Sequence, residues 1–322
     1  PMLDRSTRIF VAGHRGLAGS AIYRCFEKSG FTNIVTCPRS DLDLTNQAAT
    51  QKLFASEKPQ AVVLAAAKVG GILANYEFPA DFIQENLSIQ NNVFEAAFRN
   101  GVQHLLFLGS SCIYPRDCAQ PMKEEHLMSG PLELTNRAYA VAKIAGIEAC
   151  WAHNRQHGTR YIAAMPTNLY GPGDNYDLEN SHVLPALIRK LHEAKESDAL
   201  NISIWGTGLA WREFLYSDDL GEACLFLLNL PKRQQDLFFN DRRPPLINVG
   251  TGMELQIRDL VLKVANVVGY EGEVSWDLSR PDGTPRKLLD NSLIANLGWK
   301  AAIDLDQGIQ IAYTDFLSRY ES

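Results

Sequence analysis

Short apolar runs alternate with segments of helical periodicity through the first half of the chain. The apolar runs lie at Arg8–Ala12, Ile34–Cys37, Ala61–Ala67, His104–Leu108 and Tyr161–Met165. Between the first two runs, apolar residues recur at helical spacing, at Leu17, Ala21, Ile22, Cys25 and Phe26. A nearly continuous apolar run is typical of a parallel strand that is buried on both faces. The alternation therefore predicts an α/β protein with a Rossmann-type, doubly wound parallel sheet.

The pattern becomes less regular after the fifth run. We predict a helix from about Ser181, a strand at Ile202–Trp205 and a helix near Leu220–Leu230. The stretch "PKRQQDLFFNDRRPP" is polar and contains proline, so it predicts a loop. The run "LINV" that follows has strand character again.

This change of pattern predicts two domains. We expect the Rossmann domain to consist of residues 1–174 with a return segment at about 212–250. A smaller C-terminal α/β substrate-binding domain is then expected from residues 175–211 and 251–322.

Composition and charge exclude several classes of function. The 322 residues carry a net charge of −6, which argues against a nucleic-acid or anionic-membrane partner. No apolar run is long enough to span a bilayer, and the first residues do not form an apolar signal region. The 6 cysteines are scattered without the spacing of metal ligands. We expect a reduced, cytoplasmic protein that binds no metal.

Glycines follow the first predicted strand in "FVAGHRGLAG". Gly13, Gly16 and Gly19 have the spacing that allows a tight turn, close approach of a pyrophosphate and close helix–strand packing. The helix that begins here offers free N–H groups to phosphates. A glycine-rich turn without a ligand is the alternative, but the strand–turn–helix context favours a dinucleotide site.

Two arginines indicate which dinucleotide is bound. Arg39 follows the second strand, where NAD sites commonly carry an acidic residue, and Arg15 lies in the glycine loop. Two guanidinium groups suit a 2′-phosphate, so the pattern favours NADP(H) over NAD unless both are simply solvated. Asp41 and Leu42, in "DLDL", are candidates for contact with the adenine edge.

Tyr139 and Lys143 are four residues apart in "AYAVAK", which places both on one face of a helix. A nearby ammonium and an oxidised nicotinamide would favour the phenolate and lower the pKa of the tyrosine. Ser110 ends the fourth strand, where its hydroxyl could bind a substrate carbonyl. Such a pair alone is often a surface feature, but the order glycine loop, Ser, Tyr, Lys is much more specific.

With these motifs in place, the chain resembles the extended short-chain dehydrogenase/reductase superfamily and, within it, the GDP-L-fucose synthases. The resemblance covers nearly the whole chain through "AGHRGLAGSAI", "LGSSCIYP", "AYAVAKIAGIEAC", "PTNLYGP", "DNYDLENSHVLPALIRKLHEA", "REFLYSDDL", "INVGTG" and "PDGTPRKLLD". It implies a bifunctional GDP-4-keto-6-deoxy-D-mannose 3,5-epimerase/4-reductase that uses NADPH. It further implies that Leu17, Leu108, Gly109, Pro166, Asn168 and Leu169 contact the cofactor, together with Tyr139, Lys143 and His182.

Epimerisation needs a second acid–base pair, and the resemblance assigns it to Cys112 and His182. A thiol and an imidazole both titrate near neutrality, which suits this chemistry. From the residues alone, Cys112 would be a small core residue and His182 a capping or surface histidine. The sequence leaves open which of the two is the base, and Cys118 is a rival thiol in a polar loop.

The resemblance also places the GDP-sugar. Lys190, Trp205, Arg212 and Asp282 are the expected substrate contacts, with Arg286 and Lys287 as weaker candidates. The chain departs from the family pattern at Arg137, Gly173, Ala210 and Ser217, near loops that we expect to face ligands.

Other functions stay open at this point. A related GDP-4-keto sugar, such as a dideoxy sugar or a heptose, is the nearest alternative substrate, and a sugar-nucleotide 4-epimerase is a more distant one. A 4,6-dehydratase would usually carry an acidic residue in the segment "SSCIYP", and a non-catalytic NADP-binding protein would have lost Tyr139 or Lys143.

The resemblance also implies a homodimer. Helices near Phe78–Asn100 and Arg137–His157 would pair across a two-fold axis as a four-helix bundle. The same apolar stripes could instead pack on the sheet.

Overall fold

The computed structural model describes residues 3–320 and shows a mixed α/β protein. Its strands are β1 (Ile9–Ala12), β2 (Ile34–Val35), β3 (Ala61–Leu64), β4 (His104–Leu108), β5 (Arg160–Pro166), β6 (Asn168–Tyr170), β7 (Asn201–Trp205), β8 (Trp211–Tyr216), β9 (Leu246–Val249), β10 (Glu254–Gln256), β11 (Glu273–Asp277) and β12 (Arg286–Lys287). Its helices are α1 (Leu17–Lys28), α2 (Gln47–Glu57), α3 (Ile72–Glu77), α4 (Pro79–Arg99), α5 (Arg137–His157), α6 (Val183–Glu196), α7 (Ser217–Leu228), α8 (Lys232–Gln235), α9 (Ile257–Val268), α10 (Ser292–Leu297) and α11 (Leu305–Tyr320).

Six of these strands form one parallel sheet in the order β2-β1-β3-β4-β5-β9. The predicted Rossmann-type fold is thereby confirmed. The order reverses at β1, so the loops that follow β1 and β3 flank the switch point where such sheets bind ligands. The strand predicted to continue to Ala67 ends at Leu64, because the chain turns away there and Gly13 packs against the backbone of Ala66.

The sheet is buried on both faces, which explains its unbroken apolar runs. In β1, Ile9 and Val11 belong to one core cluster, and Phe10 and Ala12 belong to the other. Helices α1 and α7 cover the first face, and α2, α4 and α5 cover the second. Side chains that alternate between two cores hold each strand in register, because a slip of one residue would exchange the two faces.

A third core cluster lies between α6, α9 and α11. It packs against a second sheet in which β8 pairs with β6, β10 and β12, while β7 and β11 form a separate parallel pair. The predicted domain boundaries stay a prediction. The structure does place β8, at the start of the expected return segment, in the second sheet.

The C-terminal half corrects two details of the sequence analysis. The helix expected near Leu220–Leu230 is α7, which begins earlier, at Ser217. The stretch expected to be a loop contains the short helix α8, in which the amide N–H groups of Gln234 and Gln235 donate to the Pro231 carbonyl. None of the helices within residues 3–320 combines the length and the apolar character needed to cross a membrane.

Candidate active site

A cleft of about 540 Å³ opens at the carboxyl ends of the central strands. It is lined by many of the residues that the sequence analysis singled out: Gly13, Arg15, Gly16, Leu17, Arg39, Leu42, Leu108, Gly109, Ser110, Tyr139, Lys143, Pro166, Asn168, Leu169 and His182. Residues that the sequence analysis did not single out as ligand contacts also line it, among them His14, Cys37, Ser40, Ala65, Ala66, Val69, Ile89, Ser111 and Thr167. Several of these follow β2 and β3, so the rule that ligands bind at the switch point was the signal that could have found them.

The glycine loop forms a cradle that fits a dinucleotide. Gly13 has a positive φ of 86°, and a Cβ there would lie 2.6 Å from the Ala66 nitrogen. A Cβ on Gly19 would lie 1.9 Å from the Gly13 carbonyl oxygen, so this glycine packs the helix against the loop and does not line the cleft. Gly16 is the N-cap of α1, makes no side-chain cap bond and is open toward the cleft. The first N–H groups of α1 are therefore available to a pyrophosphate.

The two arginines lie at the rim of this cleft. Arg15 is exposed, and the exposed Arg39 donates to Glu85 Oε1 at 2.9 Å. Lys68 donates to the other oxygen of the same carboxylate at 3.1 Å. A 2′-phosphate bound at this rim would therefore lie near Arg39 and Lys68, which both contact the Glu85 carboxylate. Asp41 is exposed beside the cleft and is not among the residues that line it.

The end of β4 presents the serine and the cysteine. Residues 111–113 form one turn of 3₁₀ helix, and Ser110 Oγ accepts from the Cys112 amide at 3.5 Å. Cys112 is half-buried and lies just beyond the cleft, next to Ser111 in its lining. The turn keeps the hydroxyl and the thiol near each other at the edge of the sheet.

Tyr139 and Lys143 lie on the first turns of α5. The Lys143 ammonium lies 5.6 Å from the centroid of the Tyr139 ring and donates to the Leu108 carbonyl at 2.9 Å. Phe82 meets the tyrosine ring edge to face, with a centroid distance of 6.2 Å. The hydrogen bond to Leu108 fixes the lysine at the end of β4, two residues before Ser110.

Burial dominates the protonation of this pair. It lowers the pKa of Lys143 to about 8 and raises the pKa of Tyr139 above its ordinary value. Cys112 adds to the raised pKa of Tyr139, and the lowering expected from the ammonium together with an oxidised nicotinamide stays a prediction for the cofactor-bound protein. Tyr139 is held as a phenol, which is the form that can donate a proton.

The thiol and the imidazole are also neutral in this environment. Burial raises the pKa of Cys112, against the opposing effects of the Ser110 hydrogen bond and of the Lys287 and Lys143 ammonium groups. His182 is the N-cap of α6 and lines the cleft, and desolvation by the surrounding chain lowers its pKa.

The expected substrate contacts gather outside the cleft, around the turn after β7. The Lys190 ammonium lies 5.1 Å from the centroid of the Trp205 ring, and the Arg280 guanidinium lies 4.7 Å from it. Asp282 accepts from the amide and the hydroxyl of Thr207, at 2.7 and 2.6 Å. Arg280 was missed because nothing in the sequence pairs it with a tryptophan so far away along the chain.

Arg212 and Lys287 connect this group to the thiol. They are partners in the parallel register of β8 and β12, and the Arg212 guanidinium contributes to the lowered pKa of Lys287, whose main cause is desolvation. Lys287 also interacts electrostatically with Cys112, and Arg212 with Asp282. Arg286 points elsewhere, because it forms an ion pair with Glu254. The cations Lys287 and Arg212 therefore lie between Cys112 and the group of residues around Trp205.

The positions that depart from the family pattern contact the protein's own chain. Ser217 is buried against Gly171, and the Gly173 amide donates to Asp315 at 3.1 Å. Ala210 is buried, and its carbonyl accepts from the Ile257 amide. Arg137 is the exposed first residue of α5. None of these contacts explains a change in ligand.

Comparison with known proteins agrees with this geometry. A family model described as the NAD dependent epimerase/dehydratase family matches residues 9–250. GDP-L-fucose synthase 1 of Arabidopsis thaliana is 53% identical over 318 residues, which are 98% of this chain and 95% of the relative. The GDP-L-fucose synthase of Escherichia coli strain K12 is 49% identical over 316 residues, which are 98% of each chain.

Solved structures are similar over the same extent. A GDP-6-OMe-4-keto-L-xylo-heptose reductase from C. jejuni has a TM-score of 0.91 and 39% identity, covering 99% of this chain and 100% of that one. A GDP-mannoheptose C4 reductase from Campylobacter jejuni with NADP bound has a TM-score of 0.88 and 40% identity, covering 98% and 99%.

Replacement of Arg39 tests the cofactor preference. We expect Arg39→Ala to lower kcat/KM for NADPH roughly 10- to 100-fold, because a charge-assisted hydrogen bond to the 2′-phosphate is lost. The value for NADH should change little. Arg99→Ala is the matched control, because Arg99 pairs with Glu95 farther along the same helix as Glu85. Equal use of both cofactors by the unaltered protein would contradict the assignment.

The buried lysine predicts a pH dependence of stability. Between pH 8 and about 10.5 the unfolded chain binds more protons at Lys143 than the folded chain, because folding lowers the pKa from 10.5 to about 8. The unfolding free energy of the wild type, relative to Lys143→Met, should therefore rise as the pH increases from 8 to 10. Urea titrations at several pH values measure this difference in unfolding free energy. Lys52→Met is the control, because Lys52 is exposed. Parallel curves for wild type and Lys143→Met would contradict the prediction.

Proposed function

We infer that this chain, which belongs to the NAD dependent epimerase/dehydratase family and within it to the GDP-L-fucose synthases, is an enzyme that converts GDP-4-keto-6-deoxy-D-mannose to GDP-L-fucose with NADPH. The observation that carries this proposal is identity of 49–54% to such synthases over nearly the whole chain. The reaction combines epimerisation at C3 and C5 with reduction at C4.

Ser110, Tyr139 and Lys143 would perform the reductive step. Bound NADPH supplies a hydride, which the C4 carbonyl carbon accepts. The Tyr139 phenol donates its proton to the C4 oxygen as that oxygen becomes an alcohol. Ser110 donates a hydrogen bond to the same oxygen, and the ammonium of Lys143, fixed to the Leu108 carbonyl, stabilises the phenolate left behind.

Cys112 and His182 would perform the epimerisations. The protons at C3 and C5 are acidic because each carbanion delocalises onto the C4 carbonyl oxygen. One group removes the proton and the other returns a proton to the opposite face, which inverts the carbon. The Lys287 and Lys143 ammonium groups favour the thiolate and so support Cys112 as one of the pair.

Lys190, Arg212, Lys287 and Trp205 would hold the nucleotide end of the substrate. Lys190 and Arg280 lie over the Trp205 ring, and cations beside an aromatic ring suit a diphosphate attached to a planar base. Asp282 is engaged with Thr207, so we assign it to holding the turn after β7. A sugar hydroxyl could reach its exposed carboxylate from outside.

A related GDP-4-keto heptose is the second candidate substrate. The observation in its favour is the TM-score of 0.91 to a reductase of such a sugar. Identity to that reductase is 39%, below the 53% found for the plant synthase, so GDP-4-keto-6-deoxy-D-mannose remains the first choice of substrate.

A homodimer through α4 and α5 is part of the proposal. The two helices pack against each other and keep apolar side chains at their outer surface, with Val141 at 41% and Phe98 at 39% exposure. Ile83 and Leu87 are half-buried on the same helix as Phe98. Such a surface suits pairing with a second copy as a four-helix bundle.

A reducing compartment such as the cytoplasm suits the proposed chemistry. Cys112 has to remain a free thiol, and all 6 cysteines of the chain are free in the structure.

Deuterium exchange tests the epimerase assignment. With GDP-4-keto-6-deoxy-D-mannose and NADPH in deuterated water, the wild type should give GDP-L-fucose labelled at C3 and C5 by NMR. Cys112→Ser and His182→Asn should lose most of the label while they still bind NADPH. Cys118→Ser is the control, because that thiol contacts His126 at 3.3 Å in a separate loop. Full exchange in Cys112→Ser would exclude the thiol as base or acid.

Sedimentation tests the dimer. We expect a species of twice the 35.8 kDa chain mass at micromolar concentration. Val141→Lys should shift it toward the monomer, because a charge would be buried in the apolar interface. Leu262→Lys, on the exposed side of α9, should not. A wild-type monomer would exclude the bundle.

A further inference from the structure

Glu213 is a buried carboxylate in β8 that none of the proposed catalytic steps uses. It lies between Arg212 and Phe214, and its exposed fraction is 0%. Because side chains alternate along a strand, its carboxylate points to the face opposite the Arg212 guanidinium. It therefore contacts other parts of the chain instead of the substrate.

The carboxylate joins two segments that are remote from β8 in sequence. Oε2 accepts from the amides of Thr251 and Gly252 at 2.7 and 2.8 Å, and from the Thr251 hydroxyl at 3.3 Å. Oε1 accepts from the Leu289 amide at 3.2 Å. The first segment is the loop after β9 of the large sheet, and the second follows β12.

The surroundings are shaped for this group. A Cβ on Gly250 would lie 2.6 Å from Glu213 Oε2, so a glycine at that position leaves room for the carboxylate. The Glu213 backbone carbonyl accepts from Asn168 Nδ2 at 2.9 Å, and Asn168 lines the cofactor cleft. One residue thus contacts the loop after β9, the segment after β12 and the edge of the cleft.

A buried carboxylate is a costly way to stabilise a fold. Apolar residues of similar volume usually stabilise a core at least as well. A carboxylate offers something else, since its two oxygens accept several N–H donors in fixed directions. A glutamine would turn its NH₂ group toward either the Leu289 amide or the amides of Thr251 and Gly252, and one set of donors would lose its acceptor.

We propose that Glu213 is a positioning residue for the GDP-sugar, because its carboxylate fixes the segment after β12 and thereby the cation Lys287 beside Arg212. Lys287 lies two residues before Leu289, which Glu213 holds, and it is the register partner of Arg212. When the Leu289 amide is released, the pair of cations loses its common orientation toward the diphosphate. This inference rests on the proposed function, since it takes a nucleoside diphosphate as the ligand.

The experiment compares Glu213→Gln with Asp219→Asn. Asp219 is the matched control, because it too is buried and accepts from two amides, those of Ala302 and Ile303, at 3.2 and 3.0 Å. Calorimetry measures the dissociation constants of GDP and of NADPH for each protein. We expect Glu213→Gln to weaken GDP binding about 10-fold and to change NADPH binding less than about twofold. Asp219→Asn should lose stability but leave both constants unchanged.

Two outcomes would overturn the inference. One is GDP binding by a folded Glu213→Gln that equals that of the wild type. The other is an equal loss of GDP and NADPH binding, or the same loss of GDP binding in Asp219→Asn, since either would indicate a general effect on stability.

If Glu213→Gln does not fold, Gly250→Ala decides, because its Cβ displaces the carboxylate without removing the charge. Gly250→Ala should then weaken GDP binding selectively, and unchanged GDP binding would overturn the inference. The proposed function is tested separately, by turnover of the 4-keto sugar by the wild type. That turnover can fail while the difference in GDP binding remains.

Discussion

A parallel sheet that is buried on both faces leaves only the ends of its strands for polar chemistry. This constraint decides where the proposed reaction can occur. Every strand of the large sheet carries apolar side chains into the two cores, so the polar groups of the cleft lie beyond the carboxyl ends of the strands. Ser110 and Cys112 follow β4, the glycine loop follows β1, and Asn168 follows β5. Because the strands are parallel, all of these ends meet on one side of the molecule.

The same constraint determines the protonation of the site. Cys112, Tyr139 and Lys143 lie close enough to the cores to lose contact with water. For each of them, desolvation is the largest effect on the pKa. Neighbouring charges modify that effect without reversing it. The burial that raises the pKa of Tyr139 cannot be read from the spacing between Tyr139 and Lys143.

The sequence was most informative where local order and spacing decide the structure. The strands of the first half, the glycine loop and the group of Ser110, Tyr139 and Lys143 follow from periodicity and motif order, and these side chains meet at one cleft. The roles of Arg280 and Glu213 depend on pairing between segments far apart in the chain. Such pairings have no local signature, because the register of β8 and β12 is set by the packing of a second sheet.

The position of β9 at the outer edge of the large sheet bears on how the protein is made. This strand comes from Leu246–Val249, after the chain has contributed β7 and β8 to the other sheets. On the ribosome, the hydrogen-bonding edge of β5 stays open until the segment Leu246–Val249 has been synthesised. An open edge strand can pair with other chains. The order of segments therefore makes the nascent chain, more than the finished enzyme, the state most exposed to misassembly.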